Sequence, residues 1–172
     1  MDDKLLPTLV TLAIVLLIFL GMALSWRARR RRSAELAPTP VDVASLGAET
    51  AEVEAQYVAT TVVEEPLERV VLPGLGFRAH AVLRMFEAGL VIEPRGEHPT
   101  VIPAAALRGA GAATYTIDRV VERDGLIVVT WAPQGDSVVD SYFRIGDVGQ
   151  RAATLTNIRG LVPELPAEQK GN

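Results

Sequence analysis

The stretch Arg69-Val70-Val71-Leu72-Pro73-Gly74-Leu75-Gly76-Phe77-Arg78-Ala79-His80-Ala81-Val82-Leu83-Arg84-Met85-Phe86-Glu87-Ala88-Gly89-Leu90-Val91-Ile92-Glu93 has two readings, and they lead to different folds. Read as a loop and a β-hairpin, residues 79–86 and 90–93 are strands around Glu87-Ala88-Gly89, with Gly89 supplying a positive φ in the turn. Read as strand–helix–strand, Gly74-x-Gly76-x-x-Ala79 comes after the apolar run 69–72 and approximates a dinucleotide-binding fingerprint. Its glycines would let backbone approach a pyrophosphate at the N-terminus of a helix over 80–88. Glu93, 17 residues after Gly76, would hold ribose hydroxyls. On this alternative Gly74, Gly76 and Glu93 are the cofactor-binding residues. Three features favour the hairpin. Pro73 sits where the first strand should run into the glycine, residues 80–88 are few for that helix, and the chain beyond Glu93 reads as strands.

Residues 125–132 alternate, placing Leu126, Val128 and Thr130 on one face and Ile127, Val129 and Trp131 on the other. Pro133-Gln134-Gly135-Asp136 is a turn. Residues 137–145 then set Val139, Phe143 and Ile145 against Asp140, Tyr142 and Arg144. Residues 53–63 read as a strand rich in valine, threonine and tyrosine, and 100–102 and 114–121 are weaker strands. Gly109-Ala110-Gly111-Ala112-Ala113 lacks the lysine and serine of a P-loop and reads as a flexible or bulged start to a strand. Asp147 is placed to cap a helix whose apolar stripe is Val148, Ala152, Leu155, Ile158 and Val162, ended by Gly160 and Pro163. The expected fold is a small α+β domain: an antiparallel curved sheet or partial barrel with one C-terminal helix plugging an open end.

Ahead of this domain lies a different kind of sequence. Residues 5–26 are apolar without a charge, long enough for a helix to cross a hydrocarbon core of roughly 30 Å. Arg27, Arg29, Arg30, Arg31 and Arg32 come directly after it. A cleaved signal would carry its positive charge before the apolar core, and a surface-lying helix would need a polar face. The spanning reading remains. Positive flanks stay cytoplasmic, so the N-terminus is expected outside and everything after the arginines inside, at the plasma membrane. Trp26 stands at the place of an interfacial anchor, and each arginine near anionic lipid contributes about 1 kcal/mol. These six residues are the expected membrane-interface set. Gly21 and Ser25 have the spacing of small residues in helix dimers, which leaves a homo-oligomer open.

The domains predicted are thus a transmembrane helix at 5–26, a basic block and flexible linker at 27–52, the folded domain at 53–162, and a disordered tail at 163–172. The linker, with Pro38, Pro40, small residues and acids, has an expected end-to-end distance of about 25 Å. Removing residues 1–32 takes six of the 17 basic and two of the 21 acidic residues and leaves a net charge of −8. Such a portion is repelled by nucleic acid, and no nucleic-acid partner is expected. The chain has no cysteine, which excludes disulfides and thiolate metal sites.

No catalytic cluster stands out. His80 and His98 are the two histidines, and neither has a partner at metal-ligand spacing. Ser137 and Ser141 lie near Asp136 and Asp140 without a nucleophile elbow. Trp131, Tyr142 and Phe143 read as core and strand-surface residues. Phosphoinositide recognition would call on Arg78, Arg84 and Arg95, a thin basic set in an acidic domain.

The order of elements resembles the pleckstrin-homology-like fold. The strings Glu68-Arg69-Val70, Gly74-Leu75-Gly76-Phe77-Arg78-Ala79, Glu87-Ala88-Gly89-Leu90-Val91-Ile92, Val101-Ile102-Pro103-Ala104, Asp124-Gly125-Leu126-Ile127-Val128-Val129-Thr130-Trp131 and Phe143-Arg144 are similar to those of a group of small actinobacterial membrane proteins. The resemblance implies one N-terminal transmembrane helix, a linker and a pleckstrin-homology-like domain. It also implies a gene beside those of pyrimidine-biosynthesis enzymes. It supplies no catalytic residue and no cofactor. Members are sometimes labelled transporters, but one helix cannot form a transport pathway alone. The function expected is a non-enzymatic binding or scaffolding domain, tethered to the cytoplasmic face, with a protein as ligand. The alternatives are the dinucleotide-binding subunit, using Gly74, Gly76 and Glu93, and a lipid-contacting domain.

Overall fold

The computed structural model describes residues 5–35, 38–63, 65–113, 115–116, 119–120, 125–135 and 137–163. The chain divides into two units, residues 1–35 and 36–172. The first holds α1 (Leu5–Glu35), a single helix that continues through the arginines. Its segment Thr8–Ser25 is long and apolar enough to cross a membrane. This single apolar helix is consistent with a membrane anchor. Arg27 is exposed, while the side chains of Trp26, Arg29, Arg30, Arg31 and Arg32 lie outside the described residues.

In the second unit the strands are β1 (Glu49–Val62), β2 (Glu65–Arg69), β3 (Ala79–Phe86), β4 (Gly89–Pro94), β5 (Thr100–Pro103), β6 (Leu107–Ala113), β7 (Tyr115–Thr116), β8 (Arg119–Val120), β9 (Leu126–Gln134) and β10 (Ser137–Arg144), followed by α2 (Val148–Leu161). Seven strands run in the order β5-β4-β3-β1-β10-β9-β6, all neighbours antiparallel; β2 joins β1, and β7 pairs with β8 apart from them. This corrects the expectation of a curved sheet or partial barrel. The sheet is open, with β5 and β6 at its two ends and no ladder between them. Closing a barrel requires the end strands to pair. Here β5 has only four residues and ends at Pro103, which has no N–H to donate. The helix is not a plug either. It packs over β6 and β9, where Ile158 is fully buried and Arg159 Nε donates to the Ala110 carbonyl at 3.0 Å.

Alternation places much of the core, although β1 shifts register at a bulge between Tyr57 and Ala59 and β4 is buried on both faces. Val53, Ala55 and Tyr57 of β1, Leu83 of β3, Ile92 of β4, Ile127 and Trp131 of β9 and Phe143 of β10 all face inward and are buried. The faces expected for 126–131 and 139–145 are those observed. Asp147 caps α2, its carboxylate accepting from Gln150 N at 2.7 Å. Of the apolar stripe expected on α2, Leu155, Ile158 and Val162 pack against the core; Val148 and Ala152 are exposed instead, and Thr154 is buried beside Ile158. The tail beyond Pro163 lies outside the described residues.

The hairpin that decides the fold forms as β3–β4, with Phe86 opposite Gly89. Gly89 does not supply a positive φ. Glycine is needed there for a different reason: a Cβ would stand 2.6 Å from the Ile102 carbonyl oxygen on β5. Just before β1, Val43–Leu46 form a turn of 3-10 helix capped by Asp42. Leu46 packs with Phe86 and Val91 in a second apolar cluster that Val41, Val43 and Val101 complete.

Candidate functional site

Register alone builds the outer face of β1, β3 and β4. Glu52 stands opposite Arg84, which stands opposite Val91. Glu54 stands opposite Val82, which stands opposite Glu93, and Gln56 lies opposite His80. Because successive residues point to opposite faces, these side chains share the face turned away from the main core; Val91 is buried there in the second apolar cluster, and the others are exposed or half-buried. Arg84 bridges two strands, its Nε 3.1 Å from Glu52 Oε2 and a terminal nitrogen 3.5 Å from Glu93 Oε1. Glu93, then Glu49, raise the Arg84 pKa above its ordinary value. Such exposed pairs are worth little for stability and chiefly hold side chains in place.

Beside this bridge a cleft of about 530 Å3 opens along the strands. Glu54, His80, Glu93, Arg95 and Glu97 bring charged or ionisable groups to it, and Pro94 and Pro99 stiffen its wall. Among the described residues no three of His, Asp or Glu gather as a metal-binding group.

Under the sheet, a chain of buried hydroxyls holds the loop that leads to β3. Trp131 Nε1 lies 3.0 Å from Ser141 Oγ, Ser141 Oγ 2.9 Å from Thr60 Oγ1, Thr60 Oγ1 2.9 Å from Tyr57 Oη, and Tyr57 Oη 2.8 Å from the Leu75 carbonyl. Both ends set the direction. An indole N–H can only donate and a carbonyl can only accept, so each hydroxyl donates toward Leu75. Tyr57→Phe removes the last link and leaves the Leu75 carbonyl and the Thr60 hydroxyl without it, an expected loss of about 1–3 kcal/mol. Burial also pushes the Tyr57 phenol from 10.0 up to about 12. Its contribution is fully present below about pH 10, where the unfolded chain's phenol is still protonated. It is lost as pH rises toward about 12, by roughly 2–3 kcal/mol. Denaturant midpoints of the full chain in detergent at pH 9 and 11.5 should show this alkaline loss, and Tyr57→Phe should reduce it. An unchanged alkaline loss in that variant would place its origin elsewhere.

A family described as bacterial PH domain-like matches residues 34–159, the span that holds the sheet and nearly all of α2. This chain belongs to that family. No curated protein matches it. Among solved structures, a chain of "The 8S snRNP Assembly Intermediate" is similar over 79% of this chain and 97% of its own, at 11% identity and a TM-score of 0.45.

The PH-like domain separates the residues that the fingerprint reading would combine. Gly74 lies in a turn with positive φ, where a Cβ would collide with the His98 carbonyl oxygen. Gly76 is followed by strand β3, not by a helix, and Glu93 is on the outer face bonded to Arg84. No helix N-terminus therefore meets Gly74 and Gly76, and the strand–helix–strand unit does not form. The Gly74 turn instead lets Leu72 and Leu75 point into the core, where each is at most 1% exposed. Ser141 and Asp140 fall on opposite faces: Ser141 is buried in the hydroxyl chain, and Asp140 accepts from Thr130 Oγ1 at 2.6 Å. Asp136 lies outside the described residues. Arg78 donates to Gln56 at 2.8 Å, Arg84 is held by two glutamates, and Arg95 lines the cleft, so each of the three meets a different environment. His80 lines the cleft, and His98 is exposed. Glu54, Glu97 and Pro99 do not stand out in the sequence. Their one local sign is the alternation Glu52, Glu54, Gln56 along β1.

Proposed function

We infer that this PH-like domain is a non-enzymatic binding module, tethered by α1 to the cytoplasmic face of the plasma membrane, and that its ligand is a protein. The observation that carries the reading is the cleft beside the Arg84 bridge. It is a charged cleft walled by β1, β3, β4 and the loop 95–99, and its outer-face charges offer complementary contacts to a protein. The domain also lacks cysteine and, among the described residues, a metal-binding group. The apolar Thr8–Ser25 segment followed by five arginines supports the anchor and its orientation. Tethering raises local concentration, so weak contacts suffice. The actinobacterial setting implied by the resemblance belongs to the same proposal.

Photo-crosslinking from positions His80 and Glu97 of the full chain in cells is the test. One protein adduct of the same size from both positions, absent from position Asn157 on the exposed side of α2, is expected. Equal background from all three would sink the reading. Reporter fusions at the C-terminus address orientation separately: an active fluorescent protein and an inactive alkaline phosphatase are expected.

A further inference from the structure

Outside α1, the large apolar side chains exposed among the described residues are Val63, Val71, Phe77 and Val148. Two of these share one loop, 70–78, between β2 and β3. Phe77 is 75% exposed and Val71 52%. Their neighbourhood is set at Gly76, where a Cβ would lie 3.4 Å from Val71 Cγ1. An exposed phenylalanine on a floppy loop would mean little. This loop is held by one bond of its own and three from outside it. The Leu75 carbonyl accepts from Tyr57, and Leu75 N donates to the Leu72 carbonyl at 2.9 Å. Thr100 Oγ1 donates to the Pro73 carbonyl at 3.3 Å, and Arg69 to the Gly76 carbonyl at 3.4 Å. Leu72 and Leu75 turn inward, so Val71 and Phe77 are turned out by the same backbone.

The apolar anchor of this chain indicates the surface this projection fits. Val41 and Val43 join the apolar cluster that includes Val101 of β5, and the loop is bonded to Thr100, the preceding residue of that strand. Thr100 and Val101 point to opposite faces of β5, so residues 41–43 and the apolar loop meet that strand from its two sides. The loop ends in Arg78, a cation whose long stem reaches Gln56. A rigid aromatic next to a valine, followed by arginine, is the composition that partitions into the boundary between head groups and acyl chains. Ordering is already complete, so little entropy is lost on contact.

We propose that the Val71–Phe77 loop is an apolar wedge that rests in the interfacial layer of the bilayer to which the chain is anchored. The contact is driven by apolar side chains, not by recognition of a head group. It rests on the proposed anchoring by α1 and is independent of the protein ligand. It would fix the orientation of the domain at the surface and leave the outer-face cleft presented in one direction.

The cysteine-free sequence allows a direct measurement. The full chain, carrying Phe77→Cys or Asn157→Cys with a nitroxide label, is placed in nanodiscs of phosphatidylcholine alone or with added phosphatidylglycerol. Collision with oxygen relative to a water-soluble nickel complex reads depth. The Phe77 label should favour oxygen severalfold more than the Asn157 label in both lipids. Labelling Val71→Cys and adding Phe77→Glu should return that label toward the aqueous value. Tyr57→Phe, which releases one clamp, should broaden the depth signal at position 77. An aqueous Phe77 label on nanodisc-incorporated protein overturns the wedge while leaving the anchor standing. Immersion only with phosphatidylglycerol also overturns it, in favour of a charge-driven contact through Arg78. Failure of the full chain to enter nanodiscs removes the anchor and the wedge together.

Discussion

Trp131→Ala should destabilise the domain by about 3–5 kcal/mol, a large share of the roughly 5–15 kcal/mol that holds a domain folded. Trp131 is 1% exposed and lies on β9 between Leu107 of β6 and Val139 of β10. Its ring is among the largest fully buried side chains. Truncation removes that apolar area and leaves a cavity that rigid strands close poorly. It also deprives Ser141 of the N–H that starts the hydroxyl chain. Ser141→Ala separates the two effects. It keeps the ring but leaves the indole N–H and the Thr60 hydroxyl short of a partner, for about 1–3 kcal/mol. Thermal unfolding of the full chain in mild detergent, followed by near-ultraviolet circular dichroism, measures both. A loss below about 1 kcal/mol for Trp131→Ala would show that the ring does not fill the core.

Leu12→Arg with Leu16→Arg should move the chain out of the membrane fraction. The segment Thr8–Ser25 holds eleven Leu, Ile, Val and Phe residues. At about 0.3–0.6 kcal/mol each they favour insertion by roughly 3–7 kcal/mol. Two central arginines cost about 2.5–3.5 kcal/mol apiece and also remove two leucines, so the sum turns unfavourable. Flotation after carbonate treatment reads the outcome. A double variant that still floats with lipid would mean that α1 is not what holds the protein there. The folded domain should be unaffected, because both positions lie in the unit formed by residues 1–35.

The two effects differ in how far sequence alone foresaw them. The apolar character of α1 is legible because it depends on composition along one helix. The inward face of 127, 129 and 131 was legible for a related reason, since alternation is a local property of a strand. Asp147 was legible as a cap because its bond reaches only three residues. The partners of Trp131 were not. Ser141 is ten residues away through a turn, and Thr60, the next link, is 81 residues from Ser141. β6 reads as a flexible start to a strand because Gly109, Ala110, Gly111, Ala112 and Ala113 have no side-chain pattern to reveal it. Pairing with β9 makes it a strand.

The same division runs through the candidate site. That Glu52, Glu54 and Gln56 share a face is a consequence of their spacing. That they meet Arg84, Glu93 and His80 is a consequence of strand order β4-β3-β1, which local pattern does not encode. Gly74 and Gly76 show the limit most sharply. Their spacing suits a phosphate loop, but a glycine's meaning depends on what approaches it. Here the neighbour is the His98 carbonyl, 24 residues on from Gly74.

By itself the sequence determined an apolar helix with an arginine border, an acidic antiparallel domain and a capped C-terminal helix. Each of these rests on composition or on contacts within one or two turns. Only the tertiary structure decided that the sheet stays open, that the glycine loop turns two leucines into the core while exposing Phe77, and that a charged cleft lies across three strands. Those outcomes are set by backbone pairing between distant segments, where steric room and hydrogen-bond partners come from residues that the local pattern cannot see.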